Sequence, residues 1–167
     1  MSRRQAPHDK PIEGTSHLIG DVTRMKTISP DIIVRWRFLS SEDPDWRSTR
    51  RLYAYVAPNK KKILYIGKAW SVTVKGRWER YAKSDFWDDL EKKQKINKHF
   101  VLLGEVSLTY SGRLTKELLA DIESLLIMAE QPWGNIQSKQ SRIARPGLII
   151  ECSGSWPGKA RFYKDNA

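Results

Sequence analysis

The chain predicts an α+β domain, a small and mainly antiparallel β-sheet flanked by helices. Three observations carry that expectation. Two β-rich runs, residues 52–57 and 63–67, are separated by the turn-forming stretch Pro58-Asn59-Lys60-Lys61-Lys62. Residues 114–130 carry an apolar stripe at helical spacing, made by Leu114, Leu118, Leu119, Ile122, Leu125, Leu126 and Ala129, and Pro132 stops it. Further β-rich runs stand before the hairpin, between it and this helix, and after the helix.

Taken in order, residues 1–30 are polar and turn-rich and read as a flexible or loosely docked arm. From 33 to 39, Val34, Trp36 and Phe38 alternate with Arg35 and Arg37, the pattern of a short strand. Residues 40–48 collect Ser, Asp, Pro and Arg, a loop. Alternation along the hairpin puts Tyr53, Tyr55, Tyr65 and Gly67 on related faces. Ser71 is placed to cap a helix bearing Val74, Trp78 and Tyr81 at i, i+4 and i+7. Residues 85–99 form a second, more polar helical or irregular segment, and 99–110 a strand containing Val101, Leu102, Leu103, Val106 and Leu108. After the long helix come a last strand at 147–152 and a turn at 153–158. The plan is an N-terminal extension (1–50), a core (51–136), and a C-terminal strand and tail packing on the core (137–167).

Length and composition narrow the function classes. A chain of 167 residues is one-domain size and buries enough surface to need no metal or disulfide staple. Only one cysteine, Cys152, is present, which excludes an internal disulfide framework and any Cys-rich zinc site. No apolar run approaches the length of a membrane-spanning helix and the first residues are polar, so a cytoplasmic protein is expected. The net charge is +11, of which residues 52–110 supply +6. Such an excess favours a polyanionic partner, nucleic acid first, and directs attention to the middle third.

In that third, clustered phenols precede a glycine and then Lys68, and glycine at such a point admits a close neighbour. On the long helix Glu123 falls beside Leu119 and Leu126, at the edge of the apolar stripe. Glu117 and Asp121 fall on the solvent side, and Glu130 lies at the helix end. Asn135 follows the turn Pro132-Trp133-Gly134. His17 and His99 lack a second histidine at metal-ligand spacing and read as structural or incidental.

Leu52-Tyr53, then eleven residues, then Tyr65-Ile66-Gly67-Lys68-Ala69 resembles the paired motif of the GIY-YIG nucleases. The resemblance continues through Arg77 and Tyr81, Glu123, and Asn135, and covers about residues 51–135. Two departures stand out. Arg51-Leu52-Tyr53 replaces the usual Gly-Ile-Tyr, and the interval from Tyr65 to Arg77 is slightly long, which makes Arg80 an alternative to Arg77. The resemblance implies a β-β-α-β-α core and a divalent-metal-dependent endonuclease hydrolysing DNA, with RNA a lesser expectation.

It also implies roles. Glu123 would hold one Mg²⁺ or Mn²⁺ ion, as a single carboxylate with several waters can. Tyr65 would act as general base, with Tyr53 orienting the nucleophile, although the division between the two phenols stays open. A phenol is almost wholly protonated at neutral pH, and the cations Lys68 and Arg77 would favour its ionised form. Arg77 would hold the scissile phosphate, Tyr81 would bond phosphate or metal-bound water, and Asn135 would fix the geometry. Strict alternation places Lys68 opposite Tyr65, so its role requires the strand to break at Gly67. Lys60, Lys61, Lys62, Arg80, Lys92, Lys93, Lys95, Arg142 and Arg145 would grip backbone phosphates without reading sequence. Trp70, Trp78, Trp87 and Trp133 interleave with the basic groups, mainly as packing residues, and an exposed one would stack on a base. Two other readings compete: a non-cutting nucleic-acid-binding module, and a basic subunit meeting an acidic protein.

Overall fold

The computed structural model describes residues 29–82, 85–135 and 145–166, so most of the arm and Arg142 lie outside the described residues. The strands are β1 (Ile32–Phe38), β2 (Arg51–Val56), β3 (Ile63–Ala69), β4 (Phe100–Leu108), β5 (Ile149–Gly154) and β6 (Phe162–Lys164). The helices are α1 (Val74–Ala82), α2 (Phe86–Gln94) and α3 (Lys116–Glu130), with a 3-10 turn at Pro44–Arg47. The fold is α+β, and the six strands form one sheet in the order β3-β2-β4-β1-β5-β6. That sheet corrects the expectation of a small, mainly antiparallel one. It is mixed, because β1 pairs antiparallel with β4 on one side and parallel with β5 on the other. No helix among the described residues is long and apolar enough to cross a membrane.

Burial explains which strands were easy to read. In β1 the buried Ile32, Val34 and Trp36 alternate with exposed Arg35 and Arg37, since only one face is covered there. In β2 every residue from Leu52 to Val56 is buried, because the hairpin is covered on both faces. On one face α3 packs Leu118, Leu119, Ile122 and Leu126 against Ile32, Val34, Ala54, Ile66 and Leu102. On the other, Tyr53, Tyr55 and Leu103 meet Val74 of α1 and Leu90 of α2 in an aromatic cluster. The residues read as an N-terminal extension thus place β1 inside the sheet, and the tail adds both β5 and the unforeseen β6.

The helix ends follow ordinary capping physics. Thr115 accepts from the Leu118 N–H at 3.1 Å at the start of α3, and Gln131 ends it in the left-handed region at φ 51°. The α1 cap is Thr73, whose Oγ1 accepts from Gly76 N–H at 3.1 Å; this corrects the assignment to Ser71. At the far end of the sheet, Trp36 stacks on Trp156 at 4.5 Å. The Trp156 indole donates to the Tyr163 hydroxyl at 2.8 Å, which donates to Glu130 at 2.6 Å and ties β6 to α3.

His99 is built into the aromatic cluster rather than exposed. Its ring stacks on Trp87 at 4.0 Å and accepts from the Trp78 indole N–H at 3.2 Å. Burial holds its pKa below the ordinary 6.5, so the folded state keeps it neutral while the unfolded chain takes up a proton near 6.5. The unfolded state therefore binds more protons below that pH, and stability falls as pH drops. Thermal midpoints should decline from pH 7 to pH 5, and the decline should be shallower in His99→Gln. Parallel slopes in the two proteins would show that another group governs this range.

Candidate active site at the outer edge of the sheet

Among the described residues β3 is an edge strand, paired only with β2, so alternate backbone groups along its outer side need other partners. Three residues supply them in turn. The Leu64 carbonyl accepts from Gly134 N–H at 2.8 Å. Two residues on, Asn135 Oδ1 accepts from Ile66 N–H at 2.9 Å while its Nδ2 donates to the Ile66 carbonyl at 2.8 Å. Asn135 therefore stands in for a neighbouring strand with one side chain, and it is buried there. Two residues further, the Lys68 backbone N–H meets the Glu123 carboxylate of α3.

The Lys68 ammonium also donates to Glu123 Oε2, closing an ion pair between β3 and α3. Only 9% of Glu123 is exposed. Burial pushes its carboxyl above the ordinary range, against the opposing pull of Lys68 and of Arg77, which lies close enough on α1 to act on it. The Arg77 Nε is itself buried with no hydrogen-bond partner among the described residues. A buried, unpaired guanidinium donor beside a carboxylate is an unusual cost for a structural element alone.

The tyrosines gather on the opposite side of β3. Tyr53 sits across from Gly67 and Tyr55 across from Tyr65, with Tyr53 and Tyr65 ring centroids 6.0 Å apart. A Cβ built at position 67 would lie 2.5 Å from the Tyr53 hydroxyl and 2.7 Å from the Tyr65 ring. Only glycine leaves room for the phenol to lie over the strand there. β3 runs unbroken through Ala69, so the break at Gly67 that would bring Lys68 to the face of Tyr65 does not occur. Lys68 and Ile66 face α3, and Tyr65 and Gly67 face the aromatic cluster, so the candidate groups are divided between the two faces of an edge strand.

The remaining candidates separate by position. Tyr81 and Arg80 lie on the last turn of α1, Arg80 exposed. Lys62 donates to Gln94 at 3.0 Å, which joins Lys60, Lys61 and Lys62 to Lys92, Lys93 and Lys95 as one basic surface. That surface is at the hairpin tip, about 20 Å along β3 from Lys68 at roughly 3.3 Å per residue. Within it, Lys60 lies 4.9 Å from both the Phe38 and Phe100 rings, and Lys93 pairs with Asp89 at 2.8 Å. Lys61, Lys92 and Lys95 are exposed. Arg145 pairs with Asp121 at 3.3 Å. Asp121 is buried, which corrects its placement on the solvent side of the helix. Arg145, 24 positions on, contacts it, and no local sequence signal announces that contact. Glu130 is engaged by Tyr163 and by the Lys159 N–H at 2.9 Å.

The described residues contain no group of three or more His, Cys, Asp or Glu side chains that would cage a metal ion. A divalent ion that keeps most of its water needs only one carboxylate, and Glu123 is a rigidly held one, so these residues fit Mg²⁺ or Mn²⁺ provided Lys68 yields its place. The chain matches no family model, no curated protein and no solved structure.

Asn135→Ala would leave the Ile66 N–H and C=O without their partner, at about 1–3 kcal/mol for each buried group. Urea denaturation should therefore show a loss of several kcal/mol, with the Ile66 amide becoming fast in hydrogen exchange. An Ile66 amide as protected as before would show that β3 does not depend on this side chain.

Proposed function

We propose that this chain is a divalent-metal-dependent endonuclease that hydrolyses DNA phosphodiester bonds on a GIY-YIG-like core. The observation that carries the reading is the Lys68–Glu123 ion pair at the edge of β3, within the electrostatic reach of Arg77, with Tyr53 packed over Gly67 on the strand's other side. Three charges in a largely buried place are costly for folding, and they suit a reaction that develops negative charge at phosphorus.

Each group has a chemical duty in this reading. The guanidinium of Arg77 binds the scissile phosphate with its fork of donors and offsets the charge that builds on the oxygens. Lys68, released from Glu123, faces the same phosphate or favours the ionised form of a nearby phenol. Tyr65, partly exposed, accepts the proton of the attacking water, and the buried Tyr53 holds the geometry over Gly67. Glu123 would hold the divalent ion, which when bound supplies Lewis-acid stabilisation of the leaving oxygen. Asn135 keeps the Ile66–Lys68 backbone in register with α3. The basic surface at the hairpin tip adds salt-dependent affinity without sequence choice. Cytoplasmic location and DNA as the partner belong to the same proposal.

The test is incubation of supercoiled plasmid with the protein and Mg²⁺ or Mn²⁺, beside Glu123→Gln. Nicking or linearisation should appear with wild type and vanish with the variant. Because burial raises the Glu123 pKa above 4.5, its ionised form is disfavoured by folding, and that cost is present once pH rises through the folded value. The neutral isostere should therefore keep or raise the thermal midpoint at neutral pH while abolishing cleavage. Salt-sensitive DNA binding with no cutting in either protein would favour the binding-module reading instead.

A further inference from the structure

The tryptophans that interleave with the basic groups divide into two kinds. Trp78, Trp87 and Trp133 belong to the aromatic cluster on the α1 and α2 side, where Trp87 stacks on His99 and Trp133 approaches Phe86 at 5.8 Å. Trp70 stands elsewhere. It follows β3 directly, half-buried, and packs against the core on the α3 side, the side that also carries Lys68 and Glu123.

Arg51 pairs with Ala69 in the β2–β3 ladder, so Arg50 and Trp70 are the next residues outward on the two strands. The Arg50 guanidinium lies over the Trp70 ring, its carbon 5.3 Å from the centroid. Arg50 is exposed and holds a left-handed backbone at φ 56°, a conformation few non-glycine residues adopt. At roughly 3.3 Å per residue, the indole is about 7 Å beyond Lys68 along the chain. Successive stacked nucleotides of one strand are spaced about 3.4 Å apart. A phosphate held at Lys68 and Arg77 therefore puts a base one or two positions away against this ring.

We infer that Trp70 and Arg50 form a nucleobase-stacking platform for a nucleotide flanking the scissile phosphodiester. The inference rests on reading the Lys68–Glu123 edge as the cutting site and adds a contact on its outer side. The incoming base takes the place that the guanidinium holds over the indole, and Arg50 moves to the adjoining phosphate. Every base presents a π-face, so the platform fixes the strand's position without choosing its sequence.

The test uses the full chain in EDTA, so that binding is read without cleavage, with fluorescence anisotropy on labelled single-stranded and duplex DNA. Trp70→Leu, which keeps the apolar packing and removes the ring, should weaken binding about tenfold, in line with one stacked base. The salt slope should not change, and Trp70→Phe should restore most of the affinity. A scan of single abasic sites should find one position where wild type loses a similar factor and Trp70→Leu loses nothing more. Equal binding by Trp70→Leu and wild type would overturn the platform, as would an abasic scan in which the two losses add at every position. Metal-dependent cutting by wild type alongside either result would leave the nuclease reading standing. A chain that binds DNA through Trp70 but never cuts would retain the platform and remove the nuclease.

Discussion

The ion pair between Lys68 and Glu123 is the constraint on which the site depends. It joins the last outward-facing position of an edge strand to the middle of α3, the helix that packs on that face. A buried pair of this kind is weak evidence for stability, since the cost of removing two charges from water offsets much of their attraction. Its geometric effect is clearer. It fixes β3 against α3, 55 residues apart in the chain, within the electrostatic reach of Arg77 on α1.

The same edge explains why Asn135 and Glu123 belong together despite lying on different elements. Each covers an outward-facing backbone position of β3, two residues apart, after Gly134 has covered the first. Without partners those groups would form an exposed template for another strand. Covering the edge with a neutral amide at one position and a carboxylate at the next leaves a single ionisable acceptor there. An edge built this way is closed to strand addition.

Much of this was legible in the sequence because it is local. The hairpin turn at 58–62 and strand alternation brought Tyr53 opposite Gly67, and the stripe on α3 put Glu123 at its border. What escaped is non-local. β1 reads as a short strand, but its insertion between β4 and β5 depends on pairings far apart along the chain, and these turned the sheet mixed. β6 is three residues long and has no periodicity to detect. Asp121 reads as solvent-facing on a helical wheel because the wheel does not know that Arg145 returns to cover it. The basic clusters were legible as charge, but their separation from Lys68 by the length of the hairpin was not. Lys68 lies on the face of β3 opposite Tyr65, as strand alternation requires, and what the sequence does not show is that Glu123 of α3 meets it there.

The most direct measurement is an anomalous-scattering map from crystals soaked in Mn²⁺. The expected result is a peak about 2.1 Å from a Glu123 carboxylate oxygen, the rest of its shell water, with the Lys68 ammonium moved off that oxygen. A Lys68–Glu123 contact left intact, with manganese bound elsewhere or not at all, would contradict the central claim.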